Sequence, residues 1–401
     1  MWQGTKNIYH LFQAIFANVF FGFPGKRLTV VGVTGTDGKT TTVNLIYHIL
    51  KTADKHVSVV STVGANIHGK ASFLAFHVSN PASWQLQKFL NEAAKSKFTE
   101  DYMVLEVTSH GLDQNRVWGI PFTIGVVTNI TPEHLDYHKT YEEYTRTKLK
   151  LLTSAKTAIV NKDDGSYKKI IGALRNKKVI TYGMGKNVDI NENIFSYTSP
   201  LIGDFNRFNV LAAIATCKTL GISDQKIAEG IASFTTPNGR MNKVGNNRGI
   251  DIVIDYAHTA NGIKQALTAL KQHQKGKLIA LVGGEGYRDE KKRPIIGSVT
   301  TQLADYVIIT AVDPRGLQAQ ITKEMLEGVK QAGGKLDKNV FVIDDRKEAI
   351  NYAINVLAKK GDTVSMFGKG HERSMNMDGK HEIPWSDLEA VNAALKKNSS
   401  Q

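Results

Sequence analysis

Residues 30–42 read VVGVTGTDGKTTT, and their reading decides the fold. A run of apolar β-formers from Leu28 to Val33 breaks into Gly32-x-x-Gly35-Thr36-Asp37-Gly38-Lys39-Thr40-Thr41. The apolar period then turns helical through Leu45, Ile46, Ile49 and Leu50. The expectation is strand, glycine loop, helix. In such a loop the backbone N–H groups curl round phosphate oxygens and the helix N-terminus adds a positive dipole. Lys39 supplies a point charge, and the Thr40 hydroxyl a ligand for Mg²⁺. The pattern predicts a nucleoside triphosphate site. A glycine-rich turn without a ligand would leave Gly-Lys-Thr behind the loop unexplained. The leading glycine sits one residue earlier than in the commonest G-x4-G-K-T form, because position 33 is Val. That spacing points to a subset of P-loop enzymes.

With 401 residues the chain suits two or three domains. Its 41% hydrophobic and 22% charged content are those of a soluble globular protein. Residues 8–23, IYHLFQAIFANVFFGF, are the most apolar stretch, but His10, Gln13 and Asn18 interrupt it and no small-residue cleavage site follows. The stretch reads as an N-terminal helix packed on the first domain. Interfacial membrane contact is the sharper alternative, from its Phe-rich face and the basic Lys26-Arg27 behind it. A single cysteine, Cys217, excludes a disulfide framework and a four-cysteine zinc ribbon, and the expected compartment is the reducing cytoplasm. The net charge of +14 is scattered, with no aromatic-interleaved basic stripe and no recognised nucleic-acid motif, so no nucleic-acid partner is expected and a polyanionic small substrate accounts for the charge.

Beyond the P-loop helix, HVSVVST (56–62) reads as a buried strand, and Asn80-Pro81 opens an amphipathic helix. The strand in YMVLEVTSH (102–110) ends on Glu106 at the carboxyl edge of a parallel sheet, where a carboxylate can hold a phosphate-bridging metal. Phe122 to Thr128 is another β run, followed by the His-, Asp- and Glu-dense stretch Asn129 to His138 and a helix from about Thr140 that contains Lys148. Thr235 to Gly239 punctuates a domain boundary, so the divisions expected are a lead-in 1–26, a central domain 27–237, a second domain 238–396 and a tail 397–401. In the second domain β runs (250–255, 277–283, 305–310, 339–343, 362–367) alternate with helical patterns, which spells a second open parallel sheet. The expected class is α/β, a P-loop domain with a mostly parallel sheet followed by a Rossmann-like α/β domain.

GVTGTDGKTTT, LEVTSHGLDQNRVWGIPF, VVTNITPEHLDYHKTYEEYTRTKLKLL, GDFNRFNVLAAIA, GRM, DYAHT, GGEGYRDEKKRP, DPRG and GKGHE stand in that order. Together they resemble the Mur ligase family, over roughly residues 27–390. The set is most similar to the type that adds the third residue of the peptidoglycan stem peptide to UDP-N-acetylmuramoyl-L-alanyl-D-glutamate.

The resemblance implies an ATP-dependent amide ligase working through an acyl phosphate, with ATP and two Mg²⁺ ions. It assigns residues Gly35 to Thr41 to the nucleotide, Thr40, Glu106 and His134 to metal, and Lys148 to a lysine carbamylated by CO₂. From the residues alone, Lys148 would be a solvated helix lysine. Asn206 is implied against adenine, with a helix N-cap as the other reading. Arg240, Asp255 and His258 are implied nucleotide contacts on the second domain, with closure of the domains over ATP. Ser79, Asn80 and Thr108 fall near the nucleotide-sugar, and Gln114 and Arg116 grip the acidic end of the acceptor peptide. Asp313, Arg315, Gly368 and Glu372 belong to the amino-acid pocket. There Val312-Asp313-Pro314-Arg315 mixes features of diaminopimelate- and lysine-using relatives, so the residue implied is a diamino acid of either kind.

Full-length relatives carry an extra N-terminal UDP-binding domain, and only about 26 residues precede this sheet. Three expectations follow: fewer contacts to the donor, substitution by the N-terminal helix or a partner, or a donor that is not a UDP-sugar. Two rival readings remain, a folylpolyglutamate-synthetase-like ligase on another carboxylate and a nucleotide-binding regulatory protein that does not ligate. EVTSHGLDQNR, DPR and GKGHE favour the cell-wall branch over the first, and retention of Glu106, His134 and Lys148 speaks against the second.

Overall fold

The apolar run that opens the reading forms strand β1, Thr29–Thr34, and the helical period that follows forms α2, Lys39–Thr52. The structure is a computed structural model that describes residues 2–72, 80–96, 98 and 100–397. It divides into two compact units, Met1–Thr235 and Thr236–Gln401.

In the first unit α1 is Trp2–Phe20 and β2 is His56–Ser61, followed by the hairpin β3, Gly64–Ile67, and β4, Lys70–Ser72. Next come α3, Ser83–Ala93, β5, Asp101–Glu106, α4, Ser109–Asp113, and β6, Phe122–Val127. The unit closes with α5, Leu135–His138, α6, Tyr141–Ser154, β7, Thr157–Asn161, α7, Tyr167–Ala173, β8, Lys178–Tyr182, α8, Asp204–Thr219, and α9, Asp224–Ala232. The eight strands form one sheet in the order β4-β3-β2-β5-β1-β6-β7-β8, parallel from β2 to β8 with the hairpin antiparallel at its edge.

Alternation along β1 sends Val31 and Val33 to one face, against α2 and α8, and Val30 to the other, with Phe122 and Leu151. Gly32 lies inside β1, not in the loop. A Cβ there would sit 2.7 Å from the Phe122 ring and 2.8 Å from Leu151, so the early glycine answers to packing under α6. The lone Cys217 is fully buried in α8, and burial pushes its thiol up.

The N-terminal helix does pack on its unit, but by the side opposite to its phenylalanines. Ala14, Ala17 and Asn18 are buried. Asn18 donates to the carbonyl of Trp118 at 2.9 Å and Asn7 to Asp113 Oδ2 at 2.9 Å. Among the described residues no helix is long and apolar enough to cross a membrane.

The second unit holds β9, Asn242–Val244, β10, Asp251–Asp255, α10, Ala260–His273, β11, Leu278–Val282, α11, Lys292–Leu303, and β12, Tyr306–Ile309. It continues with α12, Gln318–Gln331, β13, Val340–Val342, α13, Arg346–Tyr352, β14, Thr363–Phe367, β15, Ser374–Asn376, β16, Glu382–Pro384, and α14, Asp387–Lys397. Its main sheet runs β13-β12-β11-β14-β10-β9, with only β9 antiparallel, and β15 pairs with β16. The five expected β runs all appear. The three-residue strands β9, β15 and β16 and the β3–β4 hairpin escape sequence reading, because segments this short and polar have no period to detect.

One buried ion pair clamps this unit. Arg346 and Asp387 are both sealed from solvent, joined by Nε to Oδ1 at 2.7 Å and Nη2 to Oδ2 at 2.8 Å. Arg346 also donates to the carbonyls of Ala311 and Phe367, and Trp385 Nε1 donates to Asp387 Oδ1 at 2.9 Å.

Candidate active site

The parallel register sets Val33 of β1 beside Glu106, the last residue of β5. From there the P-loop and the acidic strand end share one crevice at the carboxyl edge of the sheet. It lies where connections leave in opposite directions, since the chain runs from β1 to β2 on one side and from β5 to β6 on the other. Thr40 Oγ1 donates to Glu106 Oε2 at 3.0 Å, and the Thr62 N–H donates to the same oxygen at 2.9 Å. Glu106 is 2% exposed, so a carboxylate is held at the helix N-terminus away from bulk water.

The loop is held in place by its neighbours. Thr36 N–H donates to Asn129 O at 2.8 Å and Asp37 N–H to Asn129 Oδ1 at 3.0 Å. Gly35 and Gly38 have φ of 151° and 81°. A Cβ on Gly35 would stand 1.8 Å from Thr128 Oγ1, and one on Gly38 2.2 Å from Asn209 Oδ1, so both positions need glycine. Lys39 Nζ donates to Thr36 O at 2.8 Å, and Thr41 is buried in the first turn of α2.

Lys148 contradicts the solvated reading of its residue type. It is 1% exposed, its Nζ donates to Gly35 O at 2.7 Å, and it lies 4.5 Å from the Tyr144 ring centroid. Burial, with Lys39 next in effect, holds its pKa well below the ordinary lysine value, which favours a neutral, nucleophilic amine. Tyr144 shares a 3.1 Å hydrogen bond with Thr36, so the loop, the tyrosine and the lysine form one assembly.

His134 has a left-handed backbone, φ 55°, just before α5, and its ring lies 4.8 Å from that of His110 and 6.4 Å from that of Tyr144. The aromatic group His110, Tyr137 and His138 beside it is a feature that sequence reading missed, although all three fall within quoted motifs.

Burial lowers His138 to about 4, against smaller opposing effects of Asp113 and Asp136. Between about pH 6.5 and about 4 the unfolded chain therefore binds the proton that the folded chain refuses, and stability falls as pH drops through that window. Denaturant melts from pH 7 to 4 should show this decline, and His138→Phe should flatten it. An equal slope in the variant would remove His138 as the cause.

Asn80 acts as a hub. Its Nδ2 donates to Glu106 O at 2.6 Å, while its Oδ1 accepts from Thr108 N at 2.6 Å and Thr108 Oγ1 at 2.8 Å. Both ends of its amide are thus engaged in tying the end of β5 to α4, whose N-cap is Thr108. Arg116 donates from Nη1 to Asn80 O at 2.5 Å and from Nε to Gln114 Oε1 at 2.9 Å. Ser79 lies outside the described residues.

Asn206 is the third residue of α8, whose cap position is Gly203, so the capping reading is corrected. Its Nδ2 donates to Ile202 O, and its Oδ1 accepts from Asn209, which accepts from Thr42 at 3.3 Å. His56, His68 and Asp101 could together hold a metal, but they stand at the opposite end of β5 from Glu106.

Within the second unit, Arg240 stacks 4.5 Å over Tyr256, and buried Asp255 accepts from the N–H groups of Met241 and Ala257, both at 2.7 Å. Burial raises the Asp255 carboxyl, which Arg240 opposes. His258 Nδ1 lies 3.1 Å from Tyr256 O, and Thr259, not Asp255 or His258, caps α10.

Asp313, which the resemblance places in the amino-acid pocket, carries a carboxylate that suits an amine. It already has one, because Lys369 Nζ lies 3.0 Å away, both side chains being buried, and the same lysine also pairs with Glu372 at 2.6 Å. Arg315 Nη2 lies 3.9 Å from Asp313 Oδ2, and a Cβ on Gly368 would stand 2.9 Å from Val312 Cγ1. Glu285, unnamed by sequence reading, sits here. Burial would raise its carboxyl, but Lys292, His258, Arg288 and Arg315 outweigh that and bring it to about 2.

The two units define an α/β P-loop protein with a carboxylate and a buried lysine at its phosphate loop, which is the make-up of an ATP-dependent ligase. Residues 33–217 match the Mur ligase middle domain, and residues 239–370 the Mur ligase glutamate ligase domain. The UDP-N-acetylmuramoyl-L-alanyl-D-glutamate--2,6-diaminopimelate ligase 1 of Clostridium acetobutylicum is 33% identical over 406 residues, covering 96% of this chain and 82% of the relative. The corresponding ligase of Clostridium botulinum is 34% identical, covering 96% of this chain and 81% of its own. A solved structure of a ligase with this name superposes with a TM-score of 0.62 at 30% identity, over 93% of this chain and 79% of that one. A MurF ligase of Thermotoga maritima in complex with ADP shares the fold, with a TM-score of 0.66 at 18% identity, over 96% of this chain and 84% of that one. The chain belongs to the Mur ligase family, and is an ATP-dependent, Mg²⁺-using enzyme that forms amide bonds.

Proposed function

We propose that this enzyme adds a diamino acid to UDP-N-acetylmuramoyl-L-alanyl-D-glutamate, with diaminopimelate, the amino acid in its relatives' names, as the first candidate. Arg116 carries the reading. It is a half-buried guanidinium on the unit that bears the P-loop, and among the described residues it donates to the neutral acceptors Gln114 Oε1 and Asn80 O. Burial lowers its pKa, and the nearby Tyr137 opposes this. A planar cation so placed suits a substrate carboxylate, such as those of D-glutamate.

The donor set supports Mg²⁺, since the Thr40 hydroxyl and the Glu106 carboxylate are hard oxygens 3.0 Å apart at the phosphate loop. Those two residues would hold one ion. His134 and Lys148 would hold a second after the neutral Lys148 amine attacks CO₂, forming an N–C bond and releasing a proton, to leave a carbamate. The ions would supply charge neutralisation between carboxylate and phosphate, both anionic.

Lys39 and the loop N–H groups hold the triphosphate while an oxygen of the substrate carboxylate attacks the γ-phosphorus. The bond to the β-phosphate oxygen breaks and ADP leaves. The amine of the diamino acid then attacks the acyl carbon, loses a proton, and phosphate departs with the C–O electron pair. Arg116 orients the acceptor throughout.

The test is phosphate release from Mg·ATP and UDP-N-acetylmuramoyl-L-alanyl-D-glutamate, with diaminopimelate, lysine and ornithine offered in turn. Release dependent on one of them is expected, and release with none would overturn the reading. Arg116→Ala should raise KM for the UDP-dipeptide about 10- to 100-fold, with KM for ATP little changed. Initial rates against each substrate separate the two, and an unchanged dipeptide KM would dismiss Arg116 from that role.

A further inference from the structure

We infer that the outward face of α1 seats this protein on an anionic membrane surface. The helix has the reverse of the usual amphipathic arrangement. Its small and polar residues, Asn7, Ala14, Ala17 and Asn18, face the unit it belongs to, while Ile8, Tyr9, Phe12, Phe16, Val19 and Phe20 are each 58–66% exposed. At 100° per residue these six fall within one 120° arc, an unbroken apolar stripe along the helix. At its C-terminal end the stripe runs into an aromatic cluster, with Trp84 of α3 lying 5.9, 4.8 and 5.0 Å from the rings of Phe16, Phe20 and Phe21. Packing on Trp84 engages Phe16 and Phe20 at one end of the stripe, yet all six side chains keep 58–66% of their surface exposed. An apolar band this continuous is the face of a helix that meets something apolar.

Charge indicates what that is. From Met1 to Thr36 the sequence has no Asp or Glu, but it carries Lys6, Lys26 and Arg27. Lys26 and Arg27, both exposed, lie just past the C-terminal end of the helix. A second copy seated on the stripe by a two-fold axis would bring the same cations against themselves, whereas an anionic headgroup layer would neutralise them while the aromatic stripe enters the acyl boundary. The helix would lie in the plane of the surface, since it is not apolar enough to cross it.

The test is flotation of the purified chain with vesicles of phosphatidylcholine alone and of phosphatidylcholine with phosphatidylglycerol. The protein should float with the anionic vesicles, release as salt rises, and stay behind with neutral ones. Phe12→Asp with Phe16→Asp should lower partitioning at least tenfold. Lys26→Gln and Arg27→Gln should each lower it about fivefold. These exposed positions leave the fold intact, which unchanged melting and ATP-dependent phosphate release would verify. Equal flotation with neutral vesicles, no flotation at all, or full flotation of the double aspartate variant would each overturn the inference. So would a wild-type dimer that does not float and becomes monomeric in that variant, which would assign the stripe to a second copy.

Discussion

Lys148→Ala is expected to lose ligase activity by at least about 100-fold, the scale on which removal of a preorganised charge-stabilising group acts. Activity should return in part when formate or acetate is added. The reason lies in where the lysine sits. An amine sealed from water beside Lys39 has its pKa pushed down by both, which favours the neutral form that takes up CO₂. Truncation then leaves a gap into which a small carboxylate can bring back the missing anion. If the lysine acted only through its hydrogen bond to Gly35 O, short alkylamines would restore activity and carboxylates would not. Full activity of the untreated variant would end any role in the reaction. Because the variant also leaves Gly35 O without its partner, the melting temperature must be followed alongside, and Lys148→Met, which fills most of the space, separates packing from chemistry.

The second large effect concerns stability. Arg346→Met should destabilise the second unit by about 3–5 kcal/mol, because it strands the Asp387 carboxylate, fully buried, without its counter-charge. The carbonyls of Ala311 and Phe367 lose a donor as well. Trp385 bonds to the same carboxylate and is the sole tryptophan of that unit, so with Trp2, Trp84 and Trp118 replaced by Phe its fluorescence in urea reports this transition. Arg346→Met combined with Asp387→Leu should recover part of the loss, since no uncompensated charge remains. A single variant as stable as wild type would mean that the pair contributes nothing.

The strands and the P-loop were legible because fully buried parallel strands are unbroken apolar runs, and because Gly-Lys-Thr has few other uses. Glu106 could be read from its place at a strand end. Lys148 could not be read from its residue type, yet a signal existed. Tyr144, Lys148, Leu151 and Leu152 occupy one helical face, and all four are buried, so the lysine stands on the apolar stripe of α6. The roles of Asn80 and Asp313 were hidden for a different reason. Each is decided by a partner far along the chain, Glu106 and Thr108 for the first and Lys369, 56 positions away, for the second. No local pattern announces a contact of that range. The inverted helix α1 was visible as a Phe-rich face, but which side would turn inward depended on the polar partners Asp113 and Trp118 waiting on the unit.

Cys217 has a practical consequence. The only thiol of the chain is fully buried in α8, with its pKa raised by that burial, so the native surface is inert to maleimides. A single cysteine engineered at an exposed position of either unit would therefore take up a dye without background labelling and with Cys217 left in place.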